Sequence, residues 1–184
     1  YADNKYRKAQ YLCTLTGNCL GGFDEVFEYN PSDIDAEFKK INDKILSISR
    51  GGGLWLWKPY IIYKKLQTLS KGDYLFYCDS GAVFVRSVEH VIERMDQDIF
   101  VADLPLIEEQ YTKNECFYIM DAMKDSYKKT NQIQASYLCI RKSDFSLDFV
   151  EKWLDLCCDY KLISPSENEN EINLFIAHRE DQSI

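Results

Sequence analysis

Apolar residues along this chain recur at two periods, and the switches between them mark out a run of helices and short strands. From Asn4 to about Asn18, Tyr6, Ala9, Leu12, Cys13 and Leu15 fall at helical intervals, and Gly17 with Gly21-Gly22 ends the run. Phe23 to Tyr29 alternates loosely and predicts a strand. Pro31 to Asp35 carries turn chemistry and an N-cap for a helix from Ala36 to Ser47, with Phe38, Ile41, Ile45 and Ile48 at helical spacing. The glycine triplet at 51–53 breaks that helix, and Pro59 suits the first turn of the next, which runs to Lys71-Gly72. Asp73 to Cys78 is almost continuously apolar, which predicts a strand at the centre of a sheet.

The second half reads in the same way. A short helix is expected from Val88 to Met95, a strand at Asp98–Val101, a helix from Tyr111 to Met123 and a strand from Ile133 to Arg141. Ser146 to Leu162 is the clearest amphipathic helix, with Leu147, Val150, Trp153, Leu154, Cys157 and Tyr160 on a broad apolar face. Ser164 to Asn170 is a polar loop, and Ile172 to Ala177 is expected to return to the interior. Helices alternating with short strands predict an α/β sandwich with a mostly parallel sheet. The pattern begins with a helix and is still open at Ile184, so a first strand and C-terminal helices are expected to lie outside the chain.

Composition narrows the function. At 184 residues the chain fits one domain, and no linker or repeat divides it. A net charge of −8, with no long run of Lys or Arg, argues against a general nucleic-acid or anionic-membrane surface. Seven cysteines, with no zinc spacing among them, read as reduced core residues and point to the cytoplasm. No apolar run approaches the roughly 18 residues of a membrane span.

Chemistry concentrates where the apolar strand ends at Asp79-Ser80-Gly81. An isolated carboxylate at such a place is costly unless it meets a cation or several donors, so Asp79 is a candidate ligand for a divalent metal or a ribose hydroxyl. The competing reading is a turn cap. Upstream, Gly51 to Pro59 offers Gly53 for close backbone approach, Trp57 as a flat wall, and Arg50 or Lys58 to neutralise a diphosphate. The same stretch could be a helix stop followed by core tryptophans. His178-Arg179-Glu180-Asp181-Gln182-Ser183 packs ionisable groups behind an apolar segment, with His178 a candidate metal ligand and Asp181-Gln182 able to bond sugar hydroxyls. Glu180 reads as a solvated helix start. Glu108-Glu109 with Thr112-Lys113 is most simply a surface cluster, with Glu109 or Lys113 as candidates for catalysis. Asn131, Gln132 and Gln134, before a strand, are candidates to contact an acceptor, and Tyr1 to Lys5, Asp3 among them, could reach a nucleotide.

In this order the motifs resemble a family of bacterial sugar transferases similar to the GT-A fold. The family pattern is met at Gly51 to Pro59, Gly72-Asp73 through Tyr77, Asp79 and Gly81, Glu108 or Glu109 with Thr112-Lys113, Gln132 to Ala135, and His178 to Ser183. The resemblance implies a three-layer α/β/α sandwich and transfer of a sugar from a nucleotide-diphosphate donor, a UDP-sugar, to a glycan acceptor of surface polysaccharide or lipopolysaccharide synthesis. It implies Mn²⁺ or Mg²⁺ held by Asp79 and His178, a donor site that takes in Ser80 and Gly81, and Asp181, Gln182 and Glu109 near the reacting groups. Gly81 stands where GT-A enzymes carry a second acid, so a nucleotide-sugar-binding module without catalysis is the alternative. A nucleotidyltransferase would need a basic, Gly-rich loop near the N-terminus, and the first residues contain none. The expected location is the cytoplasm or the inner face of the membrane.

Overall fold

The computed structural model describes residues 1–166 and 174–184. Its long helices form where the sequence supplies both a cap and a stripe. Ser143 accepts the Ser146 N–H at 3.0 Å and Ser146 Oγ accepts the Ser143 N–H at 2.9 Å, a capping box that opens the Asp144–Cys157 helix. Val150, Leu154 and Cys157 on its inner face are buried against the Trp57–Thr68 helix, which contributes Tyr60, Ile61, Ile62 and Leu66. Tyr77, Leu138 and Ile140 of the sheet join the same core.

Among the described residues, five strands make two small sheets. They are β1 (Tyr74–Cys78), β2 (Ile99–Phe100), β3 (Asp103–Ile107), β4 (Asn131–Ile133) and β5 (Tyr137–Arg141). One sheet has the order β1-β5-β2, and the other pairs β3 with β4. Every pairing is antiparallel, with Tyr74 opposite Arg141 and Cys78 opposite Tyr137 in the longest ladder. The expected three-layer sandwich with a mostly parallel sheet is therefore wrong. Alternation of helix and strand implies parallel crossovers only when each strand is read correctly. Here β3 hides behind Pro105, and the expected strand Ile133–Arg141 is two strands in different sheets.

The position of β1 also differs from expectation. It lies at an edge, while β5, with Leu138, Cys139 and Ile140 all buried, is central. Phe76 and its neighbours are apolar because one face of β1 lines a cavity of about 580 Å³ shared with Phe23, Phe27 and Phe84.

Other elements are shorter than their periodicity suggests. The expected Ala36–Ser47 helix breaks at Asn42 into Ala36–Ile41 and Asp43–Leu46, and Tyr111–Met123 resolves into Glu108–Tyr111 and Asn114–Ile119. The Val88–Met95 helix shrinks to Glu89–Ile92. Phe23 to Tyr29 is extended but unpaired as a strand, and the Tyr29 carbonyl instead accepts from Ala2 N and Gln10 Nε2. The Arg7–Leu20 helix buries Gln10, Cys13 and Gly17, the last facing Phe84 and Val26, while Leu12 and Leu15 and the preceding Tyr6 are exposed.

The C-terminal segment inverts the expected polarity. Leu174, Ile176 and Ala177 are exposed, whereas His178, Glu180, Asp181 and Ser183 are buried. Ile172 and the loop beyond Ser166 lie outside the described residues.

Candidate functional site

The site begins at a backbone oddity. Gly51, Gly52, Gly53, Leu54 and Trp55 all have positive φ, between 52° and 99°, so the chain makes one left-handed turn closed by Leu54 N to Arg50 O at 2.9 Å. Left-handed conformation costs a residue with a Cβ roughly 1–2 kcal/mol, and complete burial of a leucine returns about as much. Leu54 is fully buried and so offsets its own strain. The triplet is needed for packing: a Cβ at Gly51 would strike the Trp55 ring, and one at Gly53 would lie 2.8 Å from Leu46 Cα. Trp57 is likewise an internal strut. Its Nε1 donates to Gly51 O at 2.8 Å and its ring stacks on Tyr1 at 3.9 Å.

That turn aims Lys58 inward. Its ammonium lies 2.8 Å from Asp181 Oδ2 and 3.7 Å from Asp79 Oδ1, so it joins residues from three distant segments. Lys58 and Asp181 are buried, while the Asp79 side chain is 40% exposed. Tyr77 donates its hydroxyl to the same oxygen, Asp79 Oδ1, at 2.6 Å, so the carboxylate is held at one atom. Burial lifts the Asp181 carboxyl to about 6 against the lowering pull of Lys58, with Asp79 and Glu180 adding to the rise. Burial and then Asp79 push the Tyr77 phenol well up, which keeps it a donor.

Beside this cluster Arg50 pairs with Glu180 at 2.6 Å, so the acid expected to be solvated is a buried partner. The Asp181 carbonyl accepts from Trp153 Nε1 at 3.0 Å. Gln132, fully buried, ties the tail to the two-stranded sheet. Its Nε2 lies within reach of Glu108, Tyr111 O, Thr112 and Ser183 Oγ, and its Oε1 accepts from Gln182 Nε2 at 2.8 Å.

Not every candidate converges. Asp3 caps the first turns through Lys5 N and Tyr6 N and is exposed. Ser80 borders the larger cavity, and Gly81 faces open space. His178 Nδ1 accepts from the Lys113 backbone at 3.5 Å, away from the atoms that hold Asp79. Its Nε2 has no hydrogen-bond partner among the described residues, though the Leu162 carbonyl favours its protonated form. Burial, then the Lys113 charge, drives this imidazole down to about 3, so it is neutral at pH 7. Lys113 Nζ donates to Ser164 O at 2.6 Å. Glu109 is half-buried, and it is Glu108 that faces the second cavity, of about 260 Å³, together with Asp181 and Gln182.

A divalent ion fits one part of this arrangement. Among the described residues no three His, Cys, Asp or Glu form a metal-holding group. A single exposed carboxylate is nevertheless what a Mg²⁺ or Mn²⁺ ion carried on a diphosphate requires, since such ions take one or two carboxylates plus phosphate oxygens and water. Asp79 meets that description and His178 does not. The signal for Tyr77 was present in the sequence, two residues before Asp79. Nothing in the sequence marked Trp153 as a site residue.

Among the described residues, no helix is long and apolar enough to cross a membrane. Comparison of the chain with protein-family models, with curated proteins and with solved structures returns no match.

Proposed function

We propose that this chain is a glycosyltransferase domain that moves a sugar from a nucleotide-diphosphate donor, a UDP-sugar, to a glycan acceptor in cell-surface polysaccharide synthesis. The observation that carries the reading is the meeting of Lys58, Asp79 and Asp181 at one point. Lys58 holds the two carboxylates in place, and Tyr77 orients the exposed one. Two acids and one lysine leave the cluster net negative, so a diphosphate enters only with a cation that Asp79 can grip. Bound there, a divalent ion would neutralise charge on the departing diphosphate. Asp181 stands between this donor side and the 260 Å³ cavity, where an acceptor can be held out of water.

The test measures UDP binding and UDP release from a panel of UDP-sugars with Mg²⁺, Mn²⁺ or chelator. Metal-dependent turnover that falls in Asp79→Asn supports the reading. Equal turnover in both proteins sinks it, and UDP binding with neither hydrolysis nor transfer assigns the chain to a non-catalytic nucleotide-sugar-binding module.

A further inference from the structure

The smaller cavity lies between β4, β5 and the Asn114–Ile119 and Asp144–Cys157 helices, and its lining is chemically divided. Glu108 and Gln182 are drawn together by Gln132, which bonds both, and Asp181 adjoins Gln182; the rest is dominated by Phe117, Phe149, Trp153 and aliphatic side chains. No lysine, arginine or histidine is among the described residues that line it. An anion would therefore meet the Glu108 carboxyl and an Asp181 carboxylate already taken up by Lys58, with no free cation in the lining, which disfavours a diphosphate in this space.

Glu108 makes hydrogen bonds but no ion pair among the described residues. Its Oε2 accepts from Thr112 Oγ1 at 2.7 Å and from Gln132 Nε2 at 3.3 Å, leaving Oε1 outside those bonds. Burial raises its carboxyl group, with Thr112 and Gln132 pulling the other way. An unpaired carboxyl, the Lys58-bound Asp181 and a primary amide beside an apolar slot match a ring that is hydroxylated on one side and apolar on the other.

From this we propose that the 260 Å³ cavity binds an uncharged glycoside, its hydroxyls on Glu108, Asp181 and Gln182 and its apolar portion against Phe149 and Trp153. That this ligand is the sugar acceptor rests on the transferase reading; that the cavity takes a neutral hydroxylated ring does not. Glu108, not Glu109, is then the acidic residue of the 108–113 motif that contacts the ligand.

Saturation-transfer NMR and tryptophan fluorescence with phenyl β-glycosides of glucose, galactose, mannose and N-acetylglucosamine test this, with phenyl phosphate as the anionic counterpart. At least one glycoside should bind in the millimolar range, and phenyl phosphate about tenfold more weakly. Ala122→Phe fills the slot and should weaken glycoside binding by about tenfold, and Glu108→Gln by about fivefold. Should Ala122→Phe fail to fold, Phe149→Ala, at a half-exposed position, should weaken binding several-fold instead. Phenyl phosphate binding as well as the glycosides, no glycoside binding at all, or unaltered affinity in both Glu108→Gln and the folded wall variant would overturn the proposal. UDP binding is measured in parallel. Glycoside binding without UDP binding would sink the transferase reading and leave the cavity's assignment standing.

Discussion

The two sides of Asp181 are built from opposite materials. Toward Lys58 and Asp79 the site is charged, tightly bonded and open to solvent at one carboxylate. Toward Phe149 and Trp153 it is apolar, with Glu108 the further acid of that wall. The difference teaches that one residue can border two environments of opposite character. On the proposed reading, an anion that brings its own cation would take the first side and a neutral ring the second.

The sharpest way to break this comparison is Lys58→Met. Removing the ammonium leaves two carboxylates facing each other with Glu180 close by, and loss of one partner of a buried pair costs about 3–5 kcal/mol. Urea unfolding that shifts by less than about 1 kcal/mol would show that Lys58 is not holding the frame. His178→Asn tests the structural support next to the acidic end. The imidazole is depressed from 6.5 to about 3, so it contributes stability that is present above pH 6.5 and lost as pH falls toward 3. The variant should flatten that acid limb by on the order of 2–3 kcal/mol. Asp181, raised from 3.8 to about 6, acts in the opposite sense: its contribution is full below pH 3.8 and lost as pH rises through 6. It offsets part of the limb between these values, so the slope must be read across the whole range. A limb unchanged in the variant would show that His178 is solvated.

Gly53→Ala places a Cβ 2.8 Å from Leu46 Cα at a φ of +99°, and should cost about 2 kcal/mol in thermal or urea unfolding. Full stability would mean that the turn is not left-handed. Asp79→Asn is the mildest to the fold and the most informative about ligands. Stability should change by less than about 1 kcal/mol because the side chain is partly solvated, while Mg²⁺-dependent UDP affinity should fall about tenfold. Unaltered affinity in calorimetry would move the nucleotide elsewhere.

Part of the charged side is legible in the chain. Asp79 stands out because a carboxylate that ends an apolar strand demands a partner, while Lys58 and Asp181 are singled out for a diphosphate and for sugar hydroxyls and not for each other. The partners themselves could not be read. Glu180 passes for a solvated acid until Arg50, 130 residues earlier, is seen on it. The choice between Glu108 and Glu109 is a rotation of about 100° on a helical turn, which adjacent identical residues cannot reveal. Strand direction was illegible for a different reason: periodicity reports which face is buried and carries nothing about which way the neighbouring strand runs. For the glycine triplet the chain leaves two readings open, close approach to a ligand or a corner followed by core tryptophans, and the contact at Gly51 is with the chain's own Trp55 ring.

That turn also bears on how such a protein can change over generations. Any single-codon replacement of Gly51 or Gly53 introduces a Cβ into a backbone that rejects it, so the corner aiming Lys58 at the carboxylates is genetically brittle. Half-exposed wall residues such as Phe149 carry no such penalty. Lineages of this chain would be free to retool the choice of guest at that wall while inheriting the charged cluster unaltered.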